Sequence, residues 1–173
     1  YLGYRNSRAA FDQGAGIETR HTLGLRSFGV AGDWRWNVEG AYQFGHFAGA
    51  SISAWTLGTE LVRSFPAAPL TPQVTLRANI VSGDRNRDDP RLQTFNAMFP
   101  KGKYFGELSP IGPYNIINTH LGGGFDLGRG VGFGIAGMAY WRQSKGDGIY
   151  DIPGHLIRSG AGSDARFIGK EAE

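Results

Sequence analysis

Apolar and polar residues alternate along most of this chain. From Ile17 to Phe28 one register carries Ile17, Thr19, His21, Leu23 and Leu25; the other carries Glu18, Arg20, Thr22, Gly24 and Arg26. From Trp34 to Phe47 the split is cleaner, with Trp34, Trp36, Val38, Tyr42 and Phe44 opposite Arg35, Asn37, Glu39, Ala41 and Gln43. Successive side chains of a strand point to opposite faces, so each stretch predicts a ribbon with one apolar and one polar side. Ser51–Arg63, Gln73–Ser82, Asn115–Phe125 and Val131–Trp141 repeat the pattern. Tyr1–Arg8 reads as the tail of an earlier strand and Phe167–Glu173 as the start of a later one.

The connections predict how the ribbons are joined. Gly29–Asp33, Phe65–Pro72 and Leu127–Gly130 are short and rich in Gly or Pro, as hairpin turns are. Ala9–Gly16, Ala48–Ala50, Asp84–Pro113 and Ser144–Gly162 fall on the other end of the meander, and every long connection is among them. Short turns at one end and long loops at the other are the mark of an outer-membrane barrel. Strands of roughly ten residues match a tilted membrane crossing. Aromatic residues are expected at both interfaces: Phe28, Trp34, Trp36 and Phe125 toward the short turns, Tyr42, Phe44, Trp55 and Trp141 toward the long loops. A soluble lipocalin-like barrel would alternate too, but with its apolar face turned inward.

Composition narrows the picture. The 173 residues include 28 glycines and no cysteine, and mean hydropathy is −0.29. No run approaches the ~20 apolar residues of a membrane helix; Val131–Trp141 is too short and is broken by glycines. Without cysteine there is neither a disulfide framework nor a thiolate metal site. A net charge of +3, with both signs spread along the chain, argues against a nucleic-acid partner. The expected fold class is all-β, an antiparallel up-and-down transmembrane β-barrel. Residues 1–173 form one domain of about seven to eight strands with long extracellular loops at 84–113 and 144–162. The chain opens on Tyr1 without a signal peptide and closes without a terminal aromatic strand, so both ends are expected to be cuts.

A family resemblance rests on specific motifs. These are the stretch Thr94–Glu107, then Asn115–Leu121, then Trp141-Arg142-Gln143-Ser144 with Asp147-Gly148-Ile149-Tyr150, and finally Ser163–Gly169. They cover about the second half of the chain, and in that order they resemble the alginate export family of outer-membrane β-barrel porins. The resemblance implies the C-terminal portion of a larger barrel in the bacterial outer membrane. It also implies export of an anionic polysaccharide through an electropositive pore, with outer-membrane lipid and periplasmic secretion components as partners.

If the polar face lines a lumen, its cations are Arg20, Arg26, Arg35, Arg77 and Arg142, with His120 joining at low pH, and its anions are Glu18, Glu39, Glu60 and Asp126. A guanidinium fork pairs with a carboxylate through two parallel hydrogen bonds, which suits a polyuronate or another anionic solute. The alternative role for each arginine is to brace the wall against a lumen carboxylate. Phe95, Phe99, Tyr104 and Phe105, interleaved with Pro100, Lys101, Gly102 and Lys103, are too apolar for a free loop and are expected to fold back into the mouth as a constriction. A compact cap that only protects the rim is the other reading.

Catalysis and cofactors find little support. Gly132-Phe133-Gly134-Ile135-Ala136-Gly137 fits a dinucleotide pattern but lies inside an alternating strand, and His120–Gly124 lacks a nucleophile elbow to serve. Asp84-Arg85-Asn86-Arg87-Asp88 starts like an EF-hand but has Asp89 at the sixth position and Phe95 at the twelfth. Room is left only for a looser surface Ca2+ site at Asp84, Asn86 and Asp88, and no metal is otherwise expected. The expectation is therefore a channel, not an enzyme. A structural or surface-binding barrel with a blocked lumen is the competing reading.

Overall fold

The computed structural model describes residues 1–173 apart from Lys101, Lys103 and Tyr104. Its strands are β1 (Leu2–Phe11), β2 (Gly14–Ala31), β3 (Trp34–Phe47), β4 (Ala50–Ser64), β5 (Gln73–Val81), β6 (Arg91–Leu92), β7 (Ile116–Asp126), β8 (Gly132–Arg142), β9 (Ile149–Tyr150), β10 (Leu156–Arg158) and β11 (Phe167–Ala172). One antiparallel sheet runs in the order β1-β2-β3-β4-β5-β7-β8-β11, so each strand neighbours the next in the meander. β6 adds to the end of β4 in parallel, and β9 and β10 form a separate hairpin. The sheet is open, with β1 and β11 at its edges. No helix forms among the described residues.

One expected loop is mostly strand, and another is a tight turn. Ala9, Ala10 and Phe11 pair with Gly16, Ala15 and Gly14, which leaves a two-residue turn at Asp12-Gln13. Small side chains at Ala9, Ala10, Gly14, Ala15 and Gly16 carry no visible alternation, so periodicity misses this pairing. β3 and β4 likewise meet at Ala48-Gly49, where both residues take positive φ (46° and 89°). That is the backbone of a type I′ hairpin turn, and glycine adopts it without steric cost. The long-loop end therefore holds two tight turns and two long connections, 82–115 and 143–166.

Pairing fixes which side chains share a face. On the polar side Arg26 stands opposite Glu39, Asn37 opposite Glu60, Glu60 opposite Arg77, Arg77 opposite His120, and Asn79 opposite Asn118. On the other side run Leu23, Leu25, Tyr42, Leu57, Leu76, Leu121, Phe133 and Ile135. Phe28 falls in the Arg26 register, with its ring 4.9 Å from the Arg26 guanidinium carbon, so it does not join the outward aromatics. Trp34, Trp36, Tyr42, Phe44, Trp55, Phe125 and Trp141 keep the expected outward register.

Burial decides between the two barrel types. The apolar face is bare: Leu25 is 82% exposed, Leu121 59% and Ile135 60%. Glu18, Arg20 and Gln43 on the polar face are fully buried beneath the long connections. A soluble barrel would show the reverse. With lipid as the missing partner of the apolar face, the arrangement is that of a transmembrane barrel wall.

Placing a charge on the two faces should therefore have unequal consequences. Leu121→Arg in the intact protein is expected to cost about 2–4 kcal/mol in bilayer-refolding titrations. Thr75→Lys, on the polar face opposite Gly122, should stay within about 0.5 kcal/mol. Equal costs would contradict the assignment of faces.

Candidate functional site

The polar face and the two long connections form one unit. Arg20 and Glu18 share a face of β2 because they lie two residues apart, and the Arg20 Nε donates to Glu18 Oε1 at 2.6 Å with both side chains fully buried. Arg20 Nη1 donates onward to Gln43 Oε1 (2.6 Å) and to the Thr94 carbonyl (3.0 Å). Gln43 then binds the backbone of Asn96 as a strand neighbour would, accepting from its N–H at 2.9 Å and donating to its carbonyl at 2.8 Å. Asn96 Nδ2 donates to the second Glu18 oxygen at 3.1 Å. Connection 82–115 is thus moored to β2 and β3 through a buried ion pair to which the loop supplies further hydrogen-bond partners, while the Arg20 Nη2 stays buried without one among the described residues.

The same connection reaches the far edge of the sheet. Phe105 packs edge-on to Tyr140 of β8 with ring centroids 6.1 Å apart, and Leu108 N–H donates to Glu171 of β11 at 2.7 Å. Tyr140 donates to the other Glu171 oxygen at 2.9 Å. Phe95, Phe105, Tyr114 and Tyr150 join Phe11, Phe47, Ile116 and Met138 in one apolar cluster between loop and sheet.

Connection 143–166 is held by two buried charges of opposite sign that do not pair. Asp147 accepts from Tyr150 OH (2.6 Å), Thr94 Oγ1 (2.5 Å), Gln13 Nε2 (3.2 Å) and the N–H groups of Gly148 (2.8 Å) and Asp84 (2.9 Å). Arg142 donates only to carbonyls: Nε to Ala165, Nη1 to Lys145 and Asp147, Nη2 to Ser163 and Ala165. Asp12 in the β1–β2 turn accepts from Ser159 Oγ (2.6 Å) and Gly160 N–H (2.7 Å), and pairs with Arg87 of the other connection at 3.1 Å. In a flat sheet seven strand spacings would separate β1 from β11 by roughly 34 Å. The β8–β11 connection nonetheless reaches the β1–β2 turn, so it ties together the two edges of the sheet.

Burial shifts the ionisable groups of this cover. Asp84 is raised to about 6, first by desolvation and then by the neighbouring Asp147 carboxylate, against stabilising backbone N–H donors. Desolvation pushes the Tyr114 phenol up to about 12 and the Tyr150 phenol up as well, the latter reinforced by Asp147. Both tyrosines therefore act as neutral hydrogen-bonding groups.

The cations named from sequence separate into two sets. Arg20 and Arg142 are buried and engaged by the loops. Arg26, Arg35 and Arg77 stand on the polar face nearer the short turns, where solvent reaches them. Arg77 Nε donates to Glu60 at 2.6 Å, across partly exposed side chains, and Arg26 Nε donates to Asn37 at 2.6 Å. Arg35 makes no ion pair among the described residues. His120 stands beside Arg77, its Nδ1 buried and without a partner among the described residues. Asp126, at the end of β7 in the same register as His120, caps the β7–β8 turn by accepting the Gly128 N–H.

Of the aromatic and basic loop residues, Phe95 is buried over the polar face, whereas Phe99 is 75% exposed. Lys101, Lys103 and Tyr104 lie outside the described residues. The Asp84, Asn86 and Asp88 side chains form a run of local turns, with Asp84 Oδ1 accepting the Asn86 N–H and Asn86 Oδ1 accepting the Asp88 N–H. Among the described residues no three acidic or histidine side chains gather as a metal site. Sequence reasoning missed Asp147, Asp12, Gln43 and Asn115. Asn115 sits at φ 44°, accepts the Ser144 N–H and donates to the Ser144 and Gly148 carbonyls. Both Asn115 and Asp147 stand inside stretches that carry the family resemblance, which was the available signal.

An apolar outward face, a polar inward face and loops laid across it define an outer-membrane β-barrel wall. The family model described as alginate export matches residues 1–173, the whole chain, so the protein belongs to the alginate export family, a transport family of bacterial outer-membrane porins. Comparison with curated proteins returned no match.

Two outcomes are expected for the loop cover. Asp147→Ala leaves five donors without their acceptor and should cost about 3 kcal/mol or more of local stability, read as faster amide exchange across 82–115 and 143–166 together. A raised carboxyl pKa favours the folded loop fully below the unfolded value of ~4, and that contribution is lost as pH rises through about 6. Exchange protection, corrected for intrinsic rates, should therefore fall between pH 5 and pH 8, and Asp84→Asn should remove that fall. A fall that persists unchanged in the variant would show that another group carries it.

Proposed function

We propose that this chain is one sector of a larger outer-membrane channel that passes an anionic polysaccharide, alginate-like, or a related anionic solute along an arginine-bearing lumen. The observation that carries this reading is the solvent-reached row Arg26, Arg35 and Arg77 on the polar face, clear of the loop cover. Glu60 and Asn37 hold two of these guanidiniums only through partly exposed contacts, which a passing carboxylate can replace. Spaced, weakly held cations suit conduction better than one tight clamp, because each site must release what it binds. The open edges at β1 and β11 support the larger size: about eight strands would fill their own interior, whereas 16–18 leave a channel. In this reading connection 82–115, with Phe95 inward, narrows the mouth, and periplasmic secretion components deliver the cargo at the short-turn end.

The blocked-barrel reading has one observation in its favour: the two connections bury Arg20 and Arg142 and cover the polar face toward the long-loop end. Planar-bilayer recording of the intact protein separates the two. The channel reading predicts a conductance that polyuronate blocks from one side, with block weakened about tenfold or more by Arg35→Glu combined with Arg77→Glu. No conductance, or block indifferent to these reversals, would leave the blocked barrel standing.

A further inference from the structure

We infer that Arg63 is a phosphate-binding site for a phospholipid in the leaflet at the short-turn end. Arg63 lies on the outward face, paired in register with Trp34 on one side and Val74 on the other. It is the last residue but one of β4, so it stands at the boundary of the apolar band and not within it. A cation facing lipid there is tolerable, whereas at the midplane it is costly.

Its surroundings prepare it to bind an anion. The guanidinium carbon lies 5.0 Å from the Trp34 ring centroid and 5.0 Å from that of Phe65. Two aromatic contacts hold the cation by its face and leave its in-plane N–H donors unused. Among the described residues no carboxylate forms an ion pair with it; Asp126 caps its own turn. The planar fork of donors matches two oxygens of a phosphodiester. Val74 beside it is 40% exposed, and toward the membrane interior Leu61 and Leu76 are 38% and 51% exposed, which presents a surface for the acyl chains. Arg20 and Arg142 instead face the polar side, Arg20 against Glu18, Gln43 and the Thr94 carbonyl and Arg142 against carbonyls of its own connection. Arg63 differs in being oriented but unanswered. This inference depends on the outward face alone and stands whatever the lumen passes.

Native mass spectrometry of the intact, delipidated protein with added phosphatidylglycerol tests it, using heat-modifiable gel migration to confirm that each variant is folded. Wild type should retain phosphatidylglycerol adducts, and Arg63→Gln should retain about tenfold fewer. Arg63→Lys keeps the charge without the fork and should fall between; Trp34→Leu should also weaken retention while leaving the cation present. Equal retention by wild type and folded Arg63→Gln would overturn the site, and so would Arg63→Lys and Trp34→Leu both matching wild type if Arg63→Gln did not fold. Loss of the lipid to excess inorganic phosphate would overturn the lipid as occupant in favour of a soluble phosphate.

Discussion

A single sheet has two faces, and this chain has only one set of connections with which to cover them. Which face the connections cover decides everything else. Here they are laid on the polar face, where Glu18, Arg20 and Gln43 disappear beneath Thr94 and Asn96. The apolar face, from Leu25 to Ile135, keeps no protein partner. In water that distribution would forgo the main favourable term in folding. In a bilayer it is the stable arrangement, because hydrocarbon supplies the missing layer and every strand except the two edges has its backbone paired.

The cover is built from charges that answer to dipoles as much as to each other. Asp147 is satisfied by hydroxyl and N–H donors and Arg142 by carbonyls, so neither is free to exchange partners with a solute. The arginines of the polar face thus divide by physical state. Two are structural rivets for the loops; three remain where solvent reaches them. A lumen reading that counted all five as equivalent would overstate the positive field, since Glu39, Glu60 and Glu171 share the same face. Any preference for anions comes from which charges stay mobile and unpaired, and Arg35 is the clearest of these.

Much of the fold was legible because alternation is a direct consequence of strand geometry. Trp34 to Phe44 assigns its own faces, and the long connections announced the end at which they lie. Legibility failed where side chains were too small to show a period, as at Ala9–Gly16, and where one apolar residue entered the polar register, as at Phe28. The candidate lumen was readable at Arg26, Arg35 and Arg77, which need only strand register. It was not readable at Arg20 and Arg142, whose roles depend on which carbonyls a distant loop brings to them. Asp147 was invisible for the same reason: its donors come from residues 13, 84, 94, 148 and 150, a set that no local spacing encodes.

These 173 residues hold no cysteine, so cysteines introduced among them, with any cysteine elsewhere in the intact protein replaced, give the most direct test of the central claim, that the apolar face meets lipid and the polar face meets an aqueous lumen. Single cysteines would be placed at Leu76 and Leu121 on one face and at Thr75 and Gly122 on the other, in the intact protein reconstituted into vesicles. A charged, membrane-impermeant maleimide should label the Thr75 and Gly122 positions and spare the Leu76 and Leu121 positions, which a lipid-soluble maleimide should reach. Rapid labelling of the Leu76 and Leu121 positions by the charged reagent, with the other two protected, would contradict the account.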